Sequence, residues 1–210
     1  ISIIAELKKM SPSAGIIREN FNLIEIAKIY QDNGASALSL LTDRQFFGGD
    51  MSQIEEVKKK VMLPILRKDF IIDEYQIYQS RWLGADAILL IARILSVNEL
   101  NRFILLAKKL ELACVIEIHT LRELKKVLLT NAEIIGINNR DLETLKVDIN
   151  NSLQLIKKIP NCYVTISESG IKNRHDVERL SNAGFDGLLI GETLLKANDI
   201  GAKLNKLLAV

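Results

Sequence analysis

The chain has 210 residues, 48% of them hydrophobic, a formal net charge of +2, three prolines and two cysteines. That composition supports a large core and excludes a disordered chain, and basic residues scattered among a near-equal number of acidic ones exclude a nucleic-acid or membrane-surface protein. No apolar run approaches the ~20 residues needed to span a bilayer. Cys114 and Cys162 lie in apolar strand-like runs and are expected as buried free thiols of a reducing cytoplasm. His119 and His175 have no partner at metal-ligand spacing, so no metal site is expected.

In chain order, short apolar runs near 3–8, 36–41, 64–68, 86–91, 113–117, 134–138, 162–167 and 187–190 predict strands. Amphipathic stretches near 22–33, 51–60, 73–83, 96–110, 120–129, 150–158, 173–183 and 199–208 predict helices between and after them. The strands are rich in Ile, Leu and Val with little alternation, as parallel strands covered on both faces require. Asn33-Gly34-Ala35, Leu83-Gly84-Ala85 and Ala183-Gly184-Phe185 repeat one pattern, a glycine that closes a helix just before a strand. No G-x-G-x-x-G turn follows the first strand, which argues against a doubly wound open sheet. Eight βα units with no break in composition predict one domain over 1–210, an α/β protein of the (β/α)8 TIM barrel class.

Charged residues recur where these strands end, and in a barrel that end carries the active site. Glu6 and Lys8 are two apart and share a face; Lys68 ends the third strand and Glu117 the fifth. Two lysines and two carboxylates converging in a confined mouth tune one another for acid–base work. Asn138 and Arg140 share a face after the sixth strand, whereas Asn139 and Asp141 alternate away and read as loop or cap residues. Glu168 and Ser169 are adjacent, so at most one continues the inward alternation unless the strand has ended; Ser169 is favoured as the ligand contact and Glu168 stays open.

Two glycine turns suggest phosphate: Ser169-Gly170 after the seventh strand, and Gly191-Glu192-Thr193 after the eighth, where a short helix begins. The barrel is therefore expected to be of the phosphate-binding type. The first loop, with Ser11, Ser13 and Gly15, is placed to close over a ligand. Phe46 and Phe47 in the second loop, and Phe70 just past Lys68, can wall an aromatic ring. Trp82 is expected to pack rather than to serve the site, and Lys58-Lys59-Lys60 reads as a solvated helix end.

At these residues the chain resembles the indole-3-glycerol phosphate synthase family. The resemblance rests on Ile4-Ala5-Glu6-Leu7-Lys8-Lys9 with Ser11-Pro12-Ser13; Leu41-Thr42-Asp43 with Phe46-Phe47-Gly48-Gly49; and Leu66-Arg67-Lys68-Asp69-Phe70-Ile71. It continues in Ile116-Glu117-Ile118-His119, Gly136-Ile137-Asn138-Asn139-Arg140-Asp141-Leu142, Ser167-Glu168-Ser169-Gly170-Ile171 and Leu189-Ile190-Gly191-Glu192. One piece falls at each of seven strand ends, in family order, and the match spans essentially the whole chain. The resemblance implies the conversion of 1-(2-carboxyphenylamino)-1-deoxyribulose 5-phosphate, a small phosphosugar, to indole-3-glycerol phosphate, CO2 and water, with no metal or organic cofactor. It implies Lys68 as general acid, and Lys8 and Glu117 as the groups that divide the loss of water. Glu6 and Asn138 would position them, with Ser169 also in the catalytic set.

The resemblance further implies substrate contacts from Ser11, Ser13, Phe47, Phe70, Arg140 and Glu168, and a phosphate cradle from Ser169, Gly170, Gly191 and the Glu192 backbone N–H. It implies a cytoplasmic enzyme of tryptophan biosynthesis, with fusion to or association with another enzyme of that pathway left open. Members of the family carry a helical extension before the first strand; this sequence begins at Ile1, already in the first expected strand, and that extension is expected to be missing from it by truncation. A related phosphoribosyl isomerase barrel and a non-catalytic phosphosugar-binding barrel are the alternatives. The isomerase is not expected to carry the Glu-x-Lys and Arg-Lys-Asp-Phe combination, and the non-catalytic barrel is expected to bind ligand without turnover and to tolerate Lys68→Ala.

Overall fold

The computed structural model describes residues 1–141 and 143–208, so Leu142 of the motif after the sixth strand lies outside the described residues. The barrel strands are β1 (Ser2–Leu7), β2 (Ala37–Leu41), β3 (Ile65–Lys68), β4 (Ala87–Ile91), β5 (Ala113–Ile118), β6 (Ile134–Asn138), β7 (Val164–Glu168) and β8 (Gly187–Ile190). The helices that follow them in turn are α1 (Leu23–Asp32), α2 (Ser52–Lys58), α3 (Glu74–Trp82), α4 (Val97–Lys109), α5 (Leu121–Val127), α6 (Asn150–Leu155), α7 (Arg174–Asn182) and α8 (Ile200–Leu208). Each strand pairs in parallel with its neighbours, and β8 pairs with β1 to close the barrel. The expected (β/α)8 barrel is the fold observed.

Helix starts are set by local chemistry. Asp73, Ser96, Thr120 and Asn173 each form a capping box with the residue three positions on, which satisfies backbone N–H groups that a helix start leaves free. The three repeated glycines, Gly34, Gly84 and Gly184, all adopt left-handed backbone (φ of 88°, 91° and 95°), turning each helix into the next strand. Asp86 and Asp186 follow two of these turns. Their carboxylates accept the N–H of Ile65 and of Thr165, both at 2.8 Å, tying one strand foot to the next.

Alternation divides the strands between two cores. Outward-facing residues such as Ile3, Leu38, Ile88, Ile116 and Leu188 pack under the helices. Inward-facing Leu66, Leu89, Ile91, Val115, Ile166 and Leu189 fill the barrel, with Ile4, Ala87 and Ile134 against them. The barrel is thus plugged by side chains below, and polar groups on the same inward faces are lifted to its C-terminal end.

Several surface expectations are corrected. Trp82 is 83% exposed and packs against nothing that would bury it. Cys162 is exposed in the turn before β7, and only Cys114, in β5, is partly buried, where burial pushes its thiol up to about 12; both thiols are free. Lys59 and Lys60 are solvated as expected, but Lys58 Nζ reaches Asp86 Oδ2 at 2.6 Å.

Candidate active site

A cavity of about 950 Å³, counting its open mouth, lies at the C-terminal end of the barrel. Lys68, the last residue of β3, occupies its centre. Its Nζ donates to Glu117 Oε2 at 2.8 Å, from β5, and to Glu168 Oε2 at 3.0 Å, from β7. Burial alone would favour the neutral amine, but the carboxylates of Glu117, Glu168 and Glu6 outweigh it and hold the ammonium above its ordinary range. A second pair, Lys8 Nζ to Glu6 Oε1 at 2.5 Å, stands at the end of β1. The buried Tyr30 hydroxyl donates to the Glu6 carbonyl at 3.3 Å and steadies that strand end from the helix layer.

The structure resolves the Glu168–Ser169 ambiguity. Glu168 continues the alternation of β7 and points into the barrel, in register with Asn138 of β6. It is 1% exposed, lines the cavity, and its Oε2 accepts from Lys68 Nζ at 3.0 Å. Burial pushes its carboxyl up to about 7, against the opposing pull of Lys68, with Glu117 adding to the rise. Between the ordinary 4.5 and about 7 the folded chain retains a proton that the unfolded chain has released. Stability from this group therefore falls as pH rises through that window and is level above it. Glu168→Gln is expected to flatten the slope, as read by thermal unfolding between pH 5 and about 7.5; an unchanged slope would remove Glu168 as its source.

Ser169 and Gly170 lie just beyond β7, both with left-handed backbone (φ of 68° and 81°), and both line the cavity. A side chain at 170 would also press on Val147 Cγ1 at 2.6 Å, so that position admits glycine alone. Asn139 lies in the loop after β6, as expected, and its Oδ1 accepts the Ser152 N–H of α6 at 3.0 Å; it is also buried, its Nδ2 donating to Ser167 Oγ at 3.1 Å and to the Ser169 carbonyl at 3.0 Å. Asp141 is the turn residue expected, accepting the N–H of Glu143 at 2.7 Å.

Beside this turn, after the neighbouring β8, lies Gly191, followed by the one-turn helix Glu192–Leu195. Glu192 also lines the cavity, yet its carboxylate is occupied: Lys196 Nζ donates to it at 2.6 Å, and Arg140 lies 3.8 Å away. The Lys196 hydrogen bond holds its pKa below the ordinary carboxylate range. The acidic side chain is thus partnered, and the backbone turn faces the cavity. Asn138 Oδ1 accepts the Arg140 N–H at 2.9 Å, and Arg140 itself donates to the Leu145 carbonyl at 3.1 Å while lining the rim.

Phe47 and Phe70 line the mouth. The stretch expected as a loop around Phe47 is a one-turn helix, Arg44–Phe47, capped by Asp43 at 2.6 Å to the Phe46 N–H. Phe70 is placed by a network that sequence inspection passed over. Arg67, neighbour of Lys68, points outward and is 1% exposed. It donates to Asp69 Oδ2 at 2.9 Å, Ser80 Oγ at 3.0 Å and the Gln76 carbonyl at 3.0 Å. Thr42 donates to the same Asp69 oxygen at 2.6 Å, and the Phe70 N–H binds the other at 2.9 Å. The available signal was the adjacency of two cations on a strand, which forces one in and one out.

Ser11 and Ser13 are the two expected site residues that do not line the cavity. A small hairpin, Met10–Ser11 with Gly15–Ile16, holds the first loop, and Ser11 Oγ accepts the Ala14 N–H at 3.2 Å within its turn. Among the described residues no group of three His, Cys, Asp or Glu could hold a metal ion.

Fold and sequence comparisons separate at this point. A 3-hexulose-6-phosphate synthase from Salmonella typhimurium superposes with a TM-score of 0.77, covering 99% of this chain and 96% of that one, at 14% identity, a likeness of fold alone. An indole-3-glycerol phosphate synthase of Acetivibrio thermocellus is 50% identical over 210 residues, covering 100% of this chain and 81% of that protein. Another, from Legionella pneumophila, is 48% identical over 207 residues, covering 99% and 80%. The sequence pattern of the family described as indole-3-glycerol phosphate synthase extends over residues 1–207. With identity near one half over the whole chain, the chain belongs to the indole-3-glycerol phosphate synthase family.

Proposed function

We propose that residues 1–210 act as one barrel domain that closes the indole ring of 1-(2-carboxyphenylamino)-1-deoxyribulose 5-phosphate, releasing CO2 and water to give indole-3-glycerol phosphate. The observation that carries the reading is an ammonium held by two buried carboxylates, Lys68 between Glu117 and Glu168, between an aromatic wall and two glycine turns. The turns at Ser169-Gly170 and Gly191-Glu192 offer backbone N–H groups to the phosphate, and Arg140 adds positive charge at the rim. Phe47 and Phe70 then flank the carboxyphenyl ring.

In that pose the carboxyl-bearing ring carbon attacks the sugar carbonyl. Lys68 gives its proton to the carbonyl oxygen as the new bond forms. The C–CO2 bond breaks next, and its electron pair restores the aromatic ring. Water then departs: the hydroxyl takes a proton as it leaves, and the neighbouring CH2 carbon loses one as the indole double bond forms. Lys8 and Glu117 supply and remove these protons, Glu6 holds Lys8 in place, and Asn138 orients the hydroxyl. The partner is a small phosphosugar, and the cytoplasm is the compartment this reading implies. Among the described residues no helix is long and apolar enough to cross a membrane.

Glu117→Gln is expected to lower kcat by about 10² or more with little change in KM. The assay follows the fluorescence of the indole product on mixing with substrate. A change confined to KM would make Glu117 a binding residue, and a silent wild-type chain would overturn the assigned reaction.

A further inference from the structure

Gly136 lies in the middle of β6, with Glu117 as register partner on one side and Ile166 on the other. Its backbone is not left-handed, so conformation does not demand glycine there. Space does. A Cβ built at 136 would overlap Glu168 Oε1, and it would lie 3.4 Å from Glu168 Cδ and 3.1 Å from Val115 Cγ1. Glycine inside a strand weakens the strand and marks a close approach of other atoms. Here the approaching atom is the inner oxygen of a buried carboxylate, which has no hydrogen-bond partner among the described residues. On its inner side only packing limits where that carboxylate rests, and its other oxygen receives Lys68 Nζ at 3.0 Å.

We infer that Gly136 is a positioning residue: its missing side chain is the seat of the Glu168 carboxylate, and through it sets the place of Lys68 beside Glu117. The inference rests on the function proposed above. A methyl group at 136 pushes Glu168 toward the mouth. Lys68 Nζ, held by the same carboxylate, then leaves the position from which it reaches the reacting carbonyl. Gly191 repeats the device at the next pair of strands, β8 and β1: a Cβ there would overlap Glu6 Oε1 and lie 3.0 Å from Glu6 Cβ. Each of the two inward glutamates that hold a lysine across from one of these positions thus has a glycine against its carboxylate.

The test is a double-mutant cycle of Gly136→Ala with Glu168→Ala, read in kcat, KM and thermal stability. Gly136→Ala alone is expected to lower kcat about 10²-fold, since displacements near 1 Å cost that much, with KM within about 3-fold. In the Glu168→Ala background the same change is expected to cost less than about 2-fold, because the atom it collides with is gone and Val115 need yield only a few tenths of an ångström. Equal cost in both backgrounds overturns the inference, as does wild-type kcat in Gly136→Ala. If the single variant fails to fold, or Glu168→Ala turnover is undetectable, the stability arm decides: the double variant should then be no less stable than Glu168→Ala, and a loss as large as in the wild-type background refutes the seat. Wild-type turnover, measured alongside, tests the assigned reaction separately.

Discussion

Lys68→Ala is expected to lower kcat by about 10³-fold or more, the upper part of the range for a lost proton donor. It is also expected to destabilise the chain, because Glu117 and Glu168 are 5% and 1% exposed and lose the ammonium that pairs them. Breaking a buried pair by removing one partner typically costs about 3–5 kcal/mol. Glu168, whose carboxyl burial pushes up to about 7, can escape part of that cost by holding a proton, so the loss should be greater at pH 8 than at about pH 5.5. Lys68→Arg separates the two roles. A guanidinium retains the positive charge and its hydrogen bonds, so stability should largely return, but it releases its proton far less readily than an amine and turnover should remain low. The fluorescence assay and melting curves at the two pH values read both effects. Near-normal kcat in either variant would remove Lys68 from the acid role.

The second large effect concerns stability and lies on the opposite face of the same strand. Arg67→Ala removes a fully buried guanidinium that serves Asp69, Ser80 and the Gln76 carbonyl. The expected loss is about 3–5 kcal/mol, which for a chain of this size lowers the melting temperature by about 6–20 °C. Arg67→Lys should recover little of it, since one ammonium cannot span partners arrayed around a planar fork. Because Asp69 also receives Thr42 and the Phe70 N–H, the aromatic wall should loosen and KM should rise with the loss of stability. A melting temperature within about 2 °C of wild type would show that the network contributes little.

These two neighbours show how far the chain could be read without its fold. Strand alternation says that one of Arg67 and Lys68 faces inward, but it does not say what waits on either side. Lys68 meets a carboxylate 100 residues further along the chain, and Arg67 meets a helix whose rotation about the barrel is a tertiary fact. The same limit explains the seventh strand, expected over 162–167 and found at Val164–Glu168. Cys162 and Tyr163 are apolar enough to extend a strand, whereas the chain is still turning there. Glu168 looked like a strand's polar end, but it belongs to the strand because Lys68 offsets the cost of burying it.

The sequence by itself determined the order of strands and helices, the caps, the glycine turns that close three helices, and the end of the barrel at which the ionisable groups collect. All of these follow from period and from local chemistry, which involve residues a few positions apart. Tertiary structure alone decided which lysine meets which carboxylate, that Glu168 ends β7 pointing inward while Ser169 beyond it also lines the cavity, and that Asn139 is a buried brace. It also decided that Ser11 and Ser13 serve their own hairpin, and that Gly136 stands empty for an oxygen of Glu168. Each of these is a matter of which distant side chains fill one small volume, and closure of the barrel, rather than any local preference, sets the contents of that volume.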